Sequence, residues 1–352
     1  RERVTGKTGP EGWLAMDLKF EAGRPYGALL LGRIAIDFYP VDYPKPLDEC
    51  ERFTRYIGGS PANIAVGLAR LGERVGFFAR VSDDAFGTYA IKYFQNEGID
   101  TSHIARCEGG QNLGLAFTEI LSDTQSSLLM YRRDVADLQL GVADIEESYI
   151  AQSRALLVSG TALSASPSRE AAFKAMALAR RHRVKVVFDI DYRPQSWKNR
   201  DEVTAYYALA AAQADILLGS REEFDMTERL ESPGMDDRQS AAYWFERGAS
   251  LLVIKHGKEG SNAYASGGEA YRVRPFHVKL LKGFGGGDGY AAALLHGLLK
   301  GLSLAECLEM GSAEAAMLVA SPACSACMPG EQALRAFIRD GKARYGNVIE
   351  TL

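Results

Sequence analysis

Chemistry is most concentrated in the stretch Lys282-Gly283-Phe284-Gly285-Gly286-Gly287-Asp288-Gly289-Tyr290. Three consecutive glycines let the backbone adopt positive φ and approach a ligand closely. The apolar run Ala291 to Leu299 has helical composition, so the glycines open a helix. A glycine turn feeding a helix N-terminus presents unpaired N–H groups and a partial positive charge, which together make an anion site. One carboxylate, Asp288, stands in that site, where it would repel a phosphate unless it had a task. The economical task is to accept the proton of a hydroxyl that attacks a phosphoryl group. The plainer alternative is a glycine-rich turn with Asp as an N-cap.

The elements that must position this turn follow from the pattern of the chain. Ala28 to Gly32 is a continuous apolar run ending in glycine, as expected of a strand buried on both faces. Asp37 is expected just past its carboxyl end, the edge where open α/β sheets bind ligands. Phe53 to Ile57 alternates like a strand outside the main sheet. Gly58-Gly59-Ser60-Pro61-Ala62-Asn63 is a second glycine turn, expected to open a helix over Ile64–Leu71 with Asn63 aimed back at the turn. Two strand-like runs, Leu113–Glu119 and Ser127–Arg132, predict a hairpin where a helix would otherwise fall. From Ala155 onward strands and helices alternate, up to a polar hairpin at Ser261–Val273, and two helices close the chain at Ser303–Leu318 and Gly330–Tyr345. Such alternation predicts a mostly parallel sheet with right-handed crossovers. The β pieces near 40–57 and 113–133 can pair into a small sheet over the site.

The 352 residues carry a net charge of −4 and 24% charged residues, which gives no basic face for nucleic acid. Five scattered cysteines argue against a disulfide framework and for a reducing, cytoplasmic setting. Cys324-Ser-Ala-Cys327 has CxxC spacing but no partner pair, and the five histidines lack metal spacing. No apolar run reaches the roughly 18 residues of a membrane span. Residues 1–25 lack the apolar core of a leader and are expected as a tail, with the domain over 26–345 and a short tail at 346–352.

Gly58-Gly59-Ser60-Pro61-Ala62-Asn63, with Arg70-Leu71-Gly72 and Asp83-Asp84 behind it, resembles the first signature of the ribokinase-like (PfkB) sugar kinases. Gly285-Gly286-Gly287-Asp288 resembles their second. The resemblance runs from about Tyr26 to Tyr345. Gly32-Arg33-Ile34-Ala35-Ile36-Asp37, Met130-Tyr131-Arg132-Arg133 and Asp189-Ile190-Asp191-Tyr192-Arg193 with Trp197 are similar to the branch acting on keto-deoxy sugar acids, most of all to its member in myo-inositol catabolism. The resemblance implies a three-layer α/β/α fold with a mostly parallel sheet and a β lid. It implies ATP and Mg2+ as cofactors, leaving use of a monovalent cation open, and a sugar-acid substrate. A homodimer through the lid is also implied.

Carried over residue by residue, Asp288 matches the catalytic base and Gly285, Gly286 and Gly287 the anion hole. Asp37, Gly59 and Asn63 match positions that hold sugar hydroxyls. Arg132 and Arg193 match arginines facing an acid substrate, since a guanidinium grips a carboxylate through a paired fork. Glu222 matches the glutamate of an Asn-x-x-Glu motif that supports Mg2+. Gly257 and Gly260 match the turn beside the nucleotide, and Ala316 and Ala320 fall where adenine is flanked. The chain departs from the family where Gly219 replaces the motif's Asn, where Lys282-Gly283 replaces the usual Asp-Thr, and where Ser82 replaces a glycine. The closest alternative is a kinase of 2-dehydro-3-deoxygluconate; a neutral-sugar kinase such as a fructokinase and a non-catalytic sugar-acid sensor are the others.

Overall fold

In the computed structural model, which describes residues 18–122 and 125–352, strand β1 (Tyr26–Leu31) lies inside the main sheet with a parallel neighbour on each side. Every residue of β1 is buried, because the strand is packed on both sides. Ala28 and Leu30 point into one core, with the helices 60–70, 286–299 and 304–319. Leu29 and Leu31 point into the other, with the helices 168–181, 200–211 and 237–246. This is why β1 reads as a continuous apolar run rather than an alternating one.

The lid strands are β2 (Ala35–Pro40), β3 (Phe53–Gly58), β6 (Gly114–Ile120) and β7 (Ser126–Tyr131). The main sheet takes β4 (Val75–Val81), β5 (Ile104–Arg106), β8 (Ser153–Ser159), β9 (Lys185–Asp189), β10 (Ile216–Ser220) and β11 (Leu251–Lys255). It also takes β12 (Ser261–Ala265), β13 (Ala270–Val273) and β14 (Ile349–Thr351). The ten strands run in the order β14-β13-β12-β11-β10-β9-β8-β1-β4-β5. From β11 to β5 all neighbours are parallel, and β12, β13 and β14 continue the sheet antiparallel. The chain moves outward from β1 toward β4 in one direction and toward β8 in the other. The crevice beyond the carboxyl ends of β1 and β8 is therefore a topological switch point, where such sheets bind ligands.

The second sheet has the order β3-β2-β6-β7, with β2 parallel to β6 and the other pairs antiparallel. It differs from expectation in one consequential way. The lid begins at Ala35, so Asp37 belongs to lid strand β2, opposite Tyr56, rather than to a turn leaving the main sheet.

Three further differences have local causes. The helix expected from Ile64 starts at Ser60, because Pro61 suits the first helical turn, where its missing N–H is no loss. A helix over Arg221–Glu228 was not expected: its run is polar, with Phe224 its only large buried apolar residue, and it is started by a reciprocal Ser220–Glu223 capping box. The expected C-terminal tail carries β14, which pairs Ile349 with Val273 and Thr351 with Tyr271. Of the expected N-terminal tail, residues 1–17 lie outside the described residues. Leu18 and Phe20 pack on the core, and Arg24 donates to the carbonyls of Ser153 and His182. The expected lid turn at 122–125 includes two residues, 123 and 124, outside the described set.

Candidate active site

The glycine turn begins at Gly285, with φ +85° in the left-handed region. A side chain there would also strike Cys324 Sγ, so the backbone conformation and the space both favour glycine. The helix Gly286–Leu299 follows, and its first-turn N–H groups have no carbonyl partner within the helix. Asp288 stands in this first turn and accepts a 2.7 Å hydrogen bond from Asn63 Nδ2. Burial pushes its carboxyl above the usual Asp range, and the nearby Asp191 carboxylate pushes the same way.

Asn63 is brought there by the second glycine turn. Gly59, at φ +99°, precedes the helix Ser60–Arg70, and a Cβ on it would meet the Arg33 carbonyl at 2.6 Å. The two glycine turns thus open two helices toward one point. Asn63 Oδ1 is buried without a partner among the described residues, leaving an acceptor for a ligand hydroxyl.

The carboxyl ends of the central strands add charge. Beyond β9, Asp191 adopts φ +38°, a conformation rare outside glycine, and is held by Arg193 at 2.7 Å and Ser159 Oγ at 3.1 Å. Burial raises Asp191, but the Arg193 and Arg33 guanidiniums outweigh it and hold the carboxylate low. Asp189 accepts from Ser60 Oγ at 2.7 Å and lies 4.0 Å from Lys255 Nζ, yet burial raises its carboxyl. Asp37 lies against Gly58, and burial pushes it up to about 6 against the pull of Arg33. Lys282 is wholly buried, and its ammonium donates to the carbonyls of Leu318 at 2.7 Å and Ala323 at 3.1 Å. That ammonium lies 3.6 Å from where a Gly285 Cβ would stand, which puts a fixed positive charge beneath the glycine turn.

Of the sequence-derived candidates, Asp288, Gly285, Gly59, Asn63, Asp37 and Arg193 line one cavity. Gly286 and Gly287 sit behind it in the first helical turn. Gly257 (φ +57°) and Gly260 (φ +96°) form the turn between β11 and β12, where a Cβ on Gly260 would strike the Val273 carbonyl. Ala320 is exposed at the end of the helix Leu304–Val319.

Three candidates are placed elsewhere. Arg132 is spent on Asp137, at 2.8 and 3.4 Å in a sealed pair, and on Ser196. Glu222 is exposed on the outer side of its helix; its neighbour Glu223 turns inward and accepts from the N–H groups of Tyr192 and Ser220. Ala316 packs into the core with Ala293 and Leu334, because the helix 304–319 turns that face inward.

Sequence reasoning had not assigned Arg33, Lys255, Asp189, Asp191 or Glu223. Asp189 and Lys255 close strands β9 and β11, and that position was the available signal. Arg33 lay in the stretch Gly32–Asp37 that carries the resemblance but was given no role there, since an Arg after a strand is ordinarily a surface residue.

Comparison with known proteins agrees with this geometry. Residues 28–331 match the model of the pfkB family carbohydrate kinases. The chain is similar to the 5-dehydro-2-deoxygluconokinase of Clostridium beijerinckii, with 54% identity over 333 residues, covering 94% of this chain and 98% of that one. It is 46% identical over 329 residues to the protein of the same name from Geobacillus kaustophilus, covering 93% and 98%. Among solved structures it resembles a PfkB protein from Polaromonas sp. JS666, with a TM-score of 0.77 and 29% identity, covering 88% of this chain and 99% of that one. A putative ribokinase II from E. coli, solved with ATP and Mg2+, shares the fold with a TM-score of 0.81 at 19% identity, covering 90% and 99%.

Proposed function

The chain belongs to the pfkB family of carbohydrate kinases, and we propose that it transfers the γ-phosphoryl group of ATP to the 6-hydroxyl of 5-dehydro-2-deoxy-D-gluconate, a step of myo-inositol catabolism. The observation that carries the reading is Asp288: a buried carboxylate, oriented by Asn63, in the first turn of a glycine-opened helix. That combination suits phosphoryl transfer to a hydroxyl, and relatives about half identical over nearly their whole length bear the substrate's name.

The chain's own groups divide the work. Asp288 accepts the hydroxyl proton as the oxygen attacks, and its raised pKa makes it a better base at neutral pH than an ordinary Asp. The N–H groups of the glycine turn and the Lys255 ammonium, 3.2 Å from where a Gly287 Cβ would stand, meet charge on the transferred phosphoryl oxygens. Asn63 and Asp37 hold substrate hydroxyls. Ala116, Leu128 and Met130 of the lid form an apolar roof that keeps water from competing as acceptor. The donor set fits a magnesium nucleotide: the hard carboxylate oxygens of Asp189, beside the Lys255 ammonium, and of Glu223 would hold the ion, and the ammonium suits phosphates. When bound, Mg2+ would shield the phosphate oxygens there.

No described helix is long and apolar enough to cross a membrane, and a cytoplasmic setting fits an ATP-dependent step. On the lid, β7 exposes Leu129 and Tyr131, and pairing of two copies through the lid is part of the reading, tested by sedimentation. The deciding experiment is an ATP-coupled assay across 5-dehydro-2-deoxygluconate, 2-dehydro-3-deoxygluconate and fructose. The reading requires the highest kcat/KM on the first. Preference for the second moves the pathway and keeps the mechanism, whereas preference for fructose, or no turnover, rejects it.

A further inference from the structure

The cations around the cavity are not equally available. Arg132 is sealed against Asp137 and does not line the cavity. Arg193 lines it but is tied to Asp191 at 2.7 Å and to the Tyr192 carbonyl at 3.0 Å. The Lys282 ammonium is committed to two carbonyls. Arg33 differs from all three. It is 6% exposed and lines the cavity, and its guanidinium forms no hydrogen bond or ion pair among the described residues. Its Nε is sealed from solvent without a partner.

A buried guanidinium that feels the Asp191 and Asp37 carboxylates but is in ion-pair contact with neither is unfavourable, because its desolvation is only partly compensated. Burial accordingly lowers its pKa, with the positive Arg132 and Arg193 adding to the effect and Asp191 and Asp37 opposing it. The fold nonetheless holds the residue firmly. Arg33 directly follows Gly32 at the switch point, and the absent side chain of Gly59 leaves room for its Cγ and carbonyl. The apolar Ala116, Leu128 and Met130 of the lid line the same cavity. A guanidinium without a bonded acceptor among the described residues, on a cavity it shares with apolar lid residues, is an arrangement completed by a ligand anion.

We infer that Arg33 receives the carboxylate of the sugar acid and sets the preference for acidic over neutral substrates. This rests on the kinase reading above. The carboxylate supplies the acceptors the fork lacks, and the lid's exclusion of water strengthens the pair. Arg193 is then a positioning residue that holds Asp191, and Arg132 is structural.

The test compares wild type with Arg33→Met and Arg33→Lys on 5-dehydro-2-deoxygluconate and on its neutral C1 amide, with melting of the unliganded proteins recorded in parallel. For Arg33→Met, KM for the acid should rise about 10- to 100-fold, the loss expected for a charge-assisted hydrogen bond. The acid-to-amide preference should collapse, KM for ATP should stay within about twofold, and the unliganded Tm should not fall. Arg33→Lys keeps the charge without the fork and should be intermediate; it decides the matter if the Met variant does not fold. An unchanged acid-to-amide preference overturns the inference. So does a large fall in Tm with the preference intact, which would make Arg33 a structural partner of Asp37. Wild-type enzyme inert toward the acid would instead refute the kinase reading itself.

Discussion

Glu314 provides a stability test independent of catalysis. It lies on the helix Leu304–Val319, is 0% exposed, and neither carboxylate oxygen has a hydrogen-bond partner among the described residues. It fits into the seam between the two helices that open on the site only because Gly67 and Gly289 lack side chains: a Cβ at those positions would lie 3.2 Å from its Oε1 and 3.0 Å from its Cγ. Burial alone pushes its pKa from 4.5 up to about 8. A raised folded-state pKa means that the native protein binds the proton more tightly than the unfolded chain. Glu314 therefore does no harm below about pH 4.5, and native stability is lost as pH rises from there to about 8. At 1.36 kcal/mol per unit the loss is about 3 kcal/mol at pH 7 and approaches about 5 kcal/mol above pH 8. With roughly 2.1 cal/mol/K of unfolding entropy per residue, these become about 4–5 °C and about 6 °C in Tm. Glu314→Gln keeps the shape and cannot ionise. Calorimetric melting of both proteins from pH 5.5 to 8.5 should show the variant ahead by about 2 °C at the acid end, widening to about 6 °C. Parallel curves, or a variant less stable at pH 8.5, would refute the reasoning.

Asp288→Asn should lower kcat about 10²- to 10⁴-fold while an ATP-binding isotherm stays unchanged; near-normal turnover would sink its assignment as base. Because burial raises Asp288 and the base must be ionised, kcat/KM should fall with decreasing pH through a limb above the ordinary 3.8, and a limb at or below that value contradicts the site's electrostatics. Arg132→Ala strands the buried Asp137 carboxylate and should cost about 3–5 kcal/mol in denaturant unfolding; a loss confined to substrate KM would mean that Arg132 faces the ligand after all. Since Lys282 already fixes a positive charge beneath the glycine turn, turnover in sodium and potassium buffers should agree within about twofold, and strong potassium activation would show that the charge is not enough.

The two glycine turns, their order and the alternation of strands and helices were legible from the chain alone. Gly285, Gly59 and the apolar run of β1 are demanded by local geometry, namely positive φ and burial on two faces, and local demands leave marks in residue type. The candidacy of Asp288 was legible for the same reason, since a carboxylate in an anion-binding turn is a contradiction that asks for a function, and the structure places it in that turn. Which arginine is free was not. Arg132 and Arg33 are the same residue type near the ends of strands, and what separates them is Asp137, which faces one and not the other. Glu222 and Glu223 are adjacent and chemically alike, and only the rotation of their helix turns the second inward. Asp37 became a lid residue because β2 pairs with β6, about 80 positions on. Residue type and spacing determined the turns, the strands and the chemistry they could support. Pairing of charges and the inward or outward sense of each side chain depend on contacts between distant segments, and the tertiary structure alone decided them.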